Sequence, residues 1–182
     1  MRARDRFVLA LAAGATLALV GGAGALAQCT AFAAPGVEWR RCLQDGSNLQ
    51  GAQLTGADLR DSSFRRTVFD GADLSGIRAR RARFTSASMK GVDLSTADLT
   101  LADFTSADLS DAILRDATLR RTSFVNAILR GADLTGANPL EADFSRADLA
   151  GATWVDGQTI CDEGSIGRCH PSPAADAGAI SN

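Results

Sequence analysis

The chain reads as an all-β solenoid with four-sided coils, and three features predict it. A large residue recurs every five positions from Leu49 to Trp154, and among these centres only Ala79 and Pro139 lack a large side chain. Two positions before each centre the residue is small: sixteen of the 22 such positions from Ser47 to Ala152 are Ala. Five Phe stand twenty residues apart, at Phe64, Phe84, Phe104, Phe124 and Phe144.

A strict five is neither the 3.6 of an amphipathic helix nor the 2.0 of a strand. Short straight sides joined by corners produce it, because each corner resets the alternation and returns the next large residue to the inside. The twenty-residue spacing of Phe sets four sides per coil, since residues n and n+20 then stack and the Phe form one ladder. Each coil of such a solenoid buries its apolar side only against its neighbours. Where the centre shrinks to Ala79, the small site two before it grows to Ile77, which keeps the interior filled.

Runs such as GADLSG at 71–76, TADLTLADFTSADLSDAILRDATLR at 96–120 and GADLTGANPLEADFSRADLAGATW at 131–154 resemble the pentapeptide-repeat family. The resemblance covers residues 47–156. It implies a right-handed quadrilateral parallel β-helix, here of about five to six coils and about 26 Å long at the strand spacing of stacked sheets. It says almost nothing about activity.

Taken in order, residues 1–27 read as a signal peptide. Arg2, Arg4 and Arg6 make a basic start, Phe7 to Leu26 is rich in Ala, Leu, Gly and Val, and Ala25-Leu26-Ala27 is a small-x-small cleavage site. The same apolar run is long enough to be a retained membrane anchor, and Cys29 after Leu26-Ala27-Gln28 is a poor match to a lipoprotein site. Cleavage is the expected outcome, with a periplasmic or secreted location. Residues 28–46 form an N-terminal cap segment holding Cys29, Trp39 and Cys42; 47–156 is the β-helix; 157–170 is a C-terminal cap with Cys161 and Cys169; and 171–182 is a flexible tail rich in Pro, Ala, Gly and Ser.

All four cysteines lie outside the repeats, and four cysteines allow three connectivities. Export favours oxidation, and the local pairs Cys29–Cys42 and Cys161–Cys169 would close one loop at each end. Residues 154–169 also look like the disulfide-closed end of exported family members. Trp39 and Trp154, one bulky aromatic at each end, read as lids over the apolar column. His170, beside Pro171, reads as a solvated tail residue, since a Cys/Cys/Cys/His metal site would need the two ends of the rod to meet.

Function falls to the surface. The formal charge is −2, and −4 without residues 1–27, so no nucleic acid is expected as a partner. Arg60, Arg80 and Arg120 share one outward column with Arg81 and Arg121 beside them, a stripe suited to an acidic protein partner; a solvated face balanced by nearby Asp is the plainer reading. Leu101, Ile113, Val125, Ile128 and Leu140 are scattered apolar exceptions, of which Val125 and Ile128 round one corner. No Tyr, no Ser-His-Asp set, no glycine-rich phosphate loop and no HExxH motif is present, and the many Asp follow from repeat grammar. No catalytic residue, cofactor or metal is therefore expected, nor stable membrane insertion once the signal is removed. The reading is a non-enzymatic scaffold or protein-interaction module. The alternative that the family suggests, an inhibitory or protective protein acting on a nucleic-acid enzyme such as gyrase, is disfavoured by the signal peptide and by the lack of a continuous acidic stripe, since Ile113 interrupts Asp73, Asp93 and Asp133.

Overall fold

The computed structural model describes residues 29–171. The predicted signal peptide and all of the predicted tail beyond Pro171 lie outside these residues. Every parallel bridge, from Glu38↔Asp58 to Asp133↔Thr153, joins residues twenty apart. The chain is thus a solenoid with four sides per coil, each side contributing one bridging residue rather than a long strand. Wall I is built from residues 38–41 and their equivalents every twenty residues; wall II from 43–46, wall III from 48–51 and wall IV from 53–56.

One five-residue grammar makes each side. The centre donates forward to the next coil, as from Leu94 N to Ile113 O at 2.7 Å, and the residue before the next centre donates back, as from Asp98 N to Ile77 O at 2.9 Å. The corner closes with an i to i+3 bond, Ala97 N to Leu94 O at 3.2 Å, and has positive φ two residues after the centre, +58° at Thr96. That is the φ signature of a type II turn. Glycine fills this position at Gly56, Gly76 and Gly136, among others, whereas Leu101 (+61°) and Arg121 (+55°) adopt it as L residues.

Centres and small sites are buried from Leu54 to Leu134, and Ile77 and Ala79 are both fully enclosed. Within the column Phe84 and Phe104 stack at 4.8 Å, Phe104 and Phe124 at 5.3 Å, and Phe124 and Phe144 at 5.1 Å, with planes 8–11° apart. Three polar residues at small sites have a common solution. Thr67 Oγ1 donates to Gln44 O at 2.8 Å, Thr122 Oγ1 to Leu99 O at 2.8 Å, and Ser62 Oγ to Trp39 O, in each case the centre carbonyl 23 residues earlier. Ser62 Oγ also accepts from Cys42 N at 3.0 Å and so bridges the corner between Trp39 and Cys42. A buried hydroxyl costs free energy unless bonded, and here each is.

The N-terminal boundary moves. Residues 28–46 are expected as a cap, but the coil register already holds at Glu38, with Trp39 at a centre and Cys42 at a small site. Polar Gln44, at the centre between Trp39 and Leu49, breaks the run of large centres there. Trp39 is 2% exposed, its ring 6.3 Å from that of Phe64, and its indole N–H donates to Ala31 O at 3.2 Å. Cys29 and Cys42 are bonded with Cα atoms 5.3 Å apart, which ties the segment before the coils to the first side.

At the other end the chain reverses. Thr153↔Ile160 and Asp148↔Ile166 are antiparallel bridges, and Leu149 N donates to Ser165 O and Gly151 N to Cys161 O, so the final edge finds partners within its own chain. Trp154 meets Phe144 edge-on at 5.6 Å, and Cys161 bonds Cys169 with Cα atoms 4.9 Å apart. His170, expected as a solvated tail residue, is half-buried: its carbonyl accepts from Asp162 N at 2.9 Å and its N–H donates to Ser165 Oγ at 3.0 Å. Pro171 bridges to Cys161, so the order runs one residue into the expected tail. Pro139 sits in the last coil of its wall, where no further coil waits for a centre N–H, and its missing donor costs nothing.

Candidate functional site

The predicted Arg stripe lies on wall I. Arg60, Arg80 and Arg120 follow their centres, and Arg81 and Arg121 occupy the positive-φ corner position. This alternation throws long cationic side chains outward from both faces of each corner. The structure divides the five residues, however, because three of them are neutralised.

Arg60 holds Asp58 through Nε at 2.8 Å and through Nη2, and Asp58 also faces Arg78 at 3.3 Å and Arg40 at 3.6 Å. Asp58 is 2% exposed. Burial pushes its pKa up, but hydrogen bonds and charge from Arg60, with Arg78 behind it, outweigh burial and leave the carboxyl below the ordinary carboxylate value. Arg81 Nε donates to Asp61 at 2.6 Å, and Arg121 Nε to Glu141 at 2.6 Å; these bonds lower both carboxyls and raise both guanidiniums. Arg80 and Arg120 have no ion pair among the described residues.

Between these two, where the Arg column is interrupted by Thr100, lies a shallow hollow of about 460 Å³ lined by Arg80, Asp98, Thr100, Leu101, Thr118, Arg120 and Arg121. Thr100 donates to Asp98 through both its N–H (3.1 Å) and its hydroxyl (2.6 Å). Leu101 is 42% exposed, so the hollow has cationic rims and one apolar floor residue.

Unpaired cations extend beyond that stripe. Seven coil Arg have no ion pair among the described residues: Arg41, Arg80 and Arg120 on wall I, and Arg65, Arg66, Arg83 and Arg146 on wall II. Every cation of walls III and IV is paired: Lys90 with Asp108, Arg115 with Asp133, and Arg130 with Asp148 and Glu163. One half of the rod therefore carries all the coil Arg without an ion pair, alongside the unpaired carboxylates Glu38, Asp45, Asp98, Asp103 and Asp143, while the other carries unpaired carboxylates such as Asp70, Asp73, Asp93 and Asp116 and no unpaired cation among the described residues. Arg41 lies beside Arg60, Asp61 and Arg81, one coil before Asp61, and Arg146 stands at the far end of wall II.

The recurrent Asp residues act structurally. Asp98, Asp103, Asp108, Asp133 and Asp143 each accept the N–H two residues on, at 2.8–3.1 Å. Among the described residues no group of three or more His, Cys, Asp or Glu is placed to hold a metal, and no helix is long and apolar enough to cross a membrane. Val125 and Ile128 stand at one corner, Val125 partly buried and Ile128 exposed.

Comparison with known proteins places this architecture. A family model described as pentapeptide repeats (8 copies) matches residues 47–85, 62–100, 79–116 and 102–138. Among solved structures, HetL, a pentapeptide repeat protein involved in heterocyst differentiation regulation from the cyanobacterium Nostoc sp. strain PCC 7120, is 31% identical; the match covers 69% of this chain and 62% of HetL, with a TM-score of 0.47. This chain thus spans less than two thirds of HetL. A trypsin-treated form of QnrB1, a plasmid-mediated fluoroquinolone resistance protein, is 19% identical over 65% of each chain, with a TM-score of 0.42. A pentapeptide repeat protein from the Arabidopsis thaliana thylakoid lumen is 25% identical over 69% of this chain and 81% of its own, with a TM-score of 0.26. No curated protein matches the chain.

These comparisons correct the expected periplasmic or secreted location. The similar structures HetL and QnrB1 stand against it. A basic start followed by an apolar run is a compositional feature of residues outside the described structure, and a solenoid of this kind is not tied to one compartment. The protein is non-enzymatic. With its repeats matched from residue 47 to residue 138 and its coils closing every twenty residues, the chain belongs to the pentapeptide-repeat family.

Proposed function

We propose that the protein is an interaction module that holds an acidic protein partner on walls I and II. One observation carries the reading: every coil Arg without an ion pair lies on these two walls, and every cation of the other two walls is already paired. Unmatched charge gathered on one side steers an oppositely charged partner and selects against a like-charged one. The ordered coils support this role, because the carbonyls of Arg80 and Arg120 accept from the preceding coil, from Asp61 N at 3.0 Å and from Leu101 N at 2.9 Å.

The test is binding of poly-L-glutamate, measured by biolayer interferometry, for the unaltered chain, for Arg80→Glu/Arg120→Glu on wall I and for Lys90→Glu on wall III. Loss of binding in the first variant and retention in the second is the expected result. Equal binding by all three would sink the proposal, and so would tighter binding of duplex DNA than of poly-L-glutamate, because the partner would then be nucleic acid.

A further inference from the structure

We infer that a second copy of this chain fits the wall I hollow, with its wall IV row Asp93, Ile113 and Asp133 seated on the row Arg80, Thr100 and Arg120. The inference rests on the interaction reading above and names its partner. Both rows rise two coils, from residue 80 to 120 and from 93 to 133, so their charged ends are equally spaced at about 10 Å. Each row is interrupted at its middle coil. In wall I the interruption is Thr100, which leaves the hollow with exposed Leu101 beside it; in wall IV it is Ile113, 37% exposed and flanked by carboxylates. An apolar knob between two acids faces an apolar-floored hollow between two unpaired guanidiniums. A partner built on the same coil rise matches the spacing automatically.

Competing charges are few. Asp93 accepts only Ser95 N, at 2.8 Å, while Asp133 accepts Thr135 N and the Nε of Arg115 at 2.6 Å. Arg115 is 61% exposed, and an exposed pair of that kind contributes little and yields readily to Arg120 of a neighbour. Asp98 lines the hollow and keeps its negative charge, since its two bonds come from neutral donors of Thr100, so Arg80, Arg120 and Arg121 there must outweigh it.

Wall IV leads directly into wall I along the chain, so the two contact surfaces adjoin at one corner of a four-sided section. Repeating the contact turns each copy by about a quarter and closes the ring at four. One wall is only about 25 Å by about 10 Å, smaller than a tight interface requires. The assembly is therefore weak, concentration-dependent and sensitive to salt.

Sedimentation velocity of the full chain tests this. At low ionic strength and high protein concentration a species of four chains is expected, dissociating at about 1 M salt, where screening is complete within about 3 Å. Arg80→Glu/Arg120→Glu and Asp93→Arg/Asp133→Arg should each be monomeric, and an equal mixture of the two should associate again, because each reversed wall then meets its complement. The milder Arg80→Gln/Arg120→Gln guards against misfolding and should weaken association in the same direction. A chain that stays monomeric, or an association indifferent to both reversals, or a mixture that stays dissociated, would overturn the inference. A monomer that still binds poly-L-glutamate through Arg80 and Arg120 would remove self-association and leave the interaction module standing.

Discussion

The rings of Phe84 and Phe104 lie 4.8 Å apart and within 9° of parallel, although twenty residues separate them in sequence. Each coil from Phe64 to Phe144 adds one ring to that ladder, so an interior ring has a stacked partner on both sides. Phe104→Ala should cost about 3 to 5 kcal/mol, because a backbone bonded to both neighbouring coils cannot collapse into the gap. Phe144 has one stacked Phe and the edge of Trp154, is only partly buried, and should cost less. Denaturant melts of the two variants check this, and equal small losses would argue against the ladder as a source of stability.

Corner substitutions should follow φ. Gly136 has φ +72°, and a Cβ there would come within 2.2 Å of Asp116 Oδ1. Gly136→Ala is expected to cost about 1 to 2 kcal/mol from the left-handed conformation alone, plus displacement of Asp116. Ser106, an exposed L residue at φ +58°, should tolerate glycine well, with a gain of up to about 0.5 kcal/mol. Opposite signs in thermal melts are the expected result.

Asp58 makes stability depend on acid pH. Its folded pKa lies below the ordinary value of 3.8, so its ionised form stabilises the fold above that value, and the contribution is lost as pH falls through 3.8 and below. Asp58→Asn should lose about 1.5 to 3 kcal/mol at neutral pH, the range for hydrogen bonds to charged groups. It should also flatten the acid limb of a stability-versus-pH curve. An unchanged acid limb would mean that the Arg40, Arg60 and Arg78 cluster contributes nothing.

The disulfides should act at the ends only. They close loops with sequence separations of 13 and 8, which loop closure values at about 2.5 to 3 kcal/mol each. Reduction is expected to speed hydrogen exchange around Trp39 and Trp154 and to leave the Phe104 coil protected. Peptide mapping of unreduced protein should recover Cys29–Cys42 and Cys161–Cys169.

By itself the sequence determined the repeating unit. A period of five with a second period of twenty admits one way of stacking, and it put the Phe in one wall, matched Ile77 to Ala79 and set out the Arg column, because burial recurs at every coil and leaves its mark at every coil. Only the tertiary structure decided which charges remain. Arg60 shares the column of Arg80 and Arg120, and Arg81 and Arg121 stand in the column beside it, yet these three are neutralised by Asp58, Asp61 and Glu141, because pairing depends on side-chain reach, which periodicity does not encode. The ends were decided the same way: Gln44 interrupts the large centres between Trp39 and Leu49, so the two fives before residue 47 read as a cap, and the antiparallel return of Ile160 and Ile166 appears only when the last coil's edge, facing no further repeat, takes its partners from the cap.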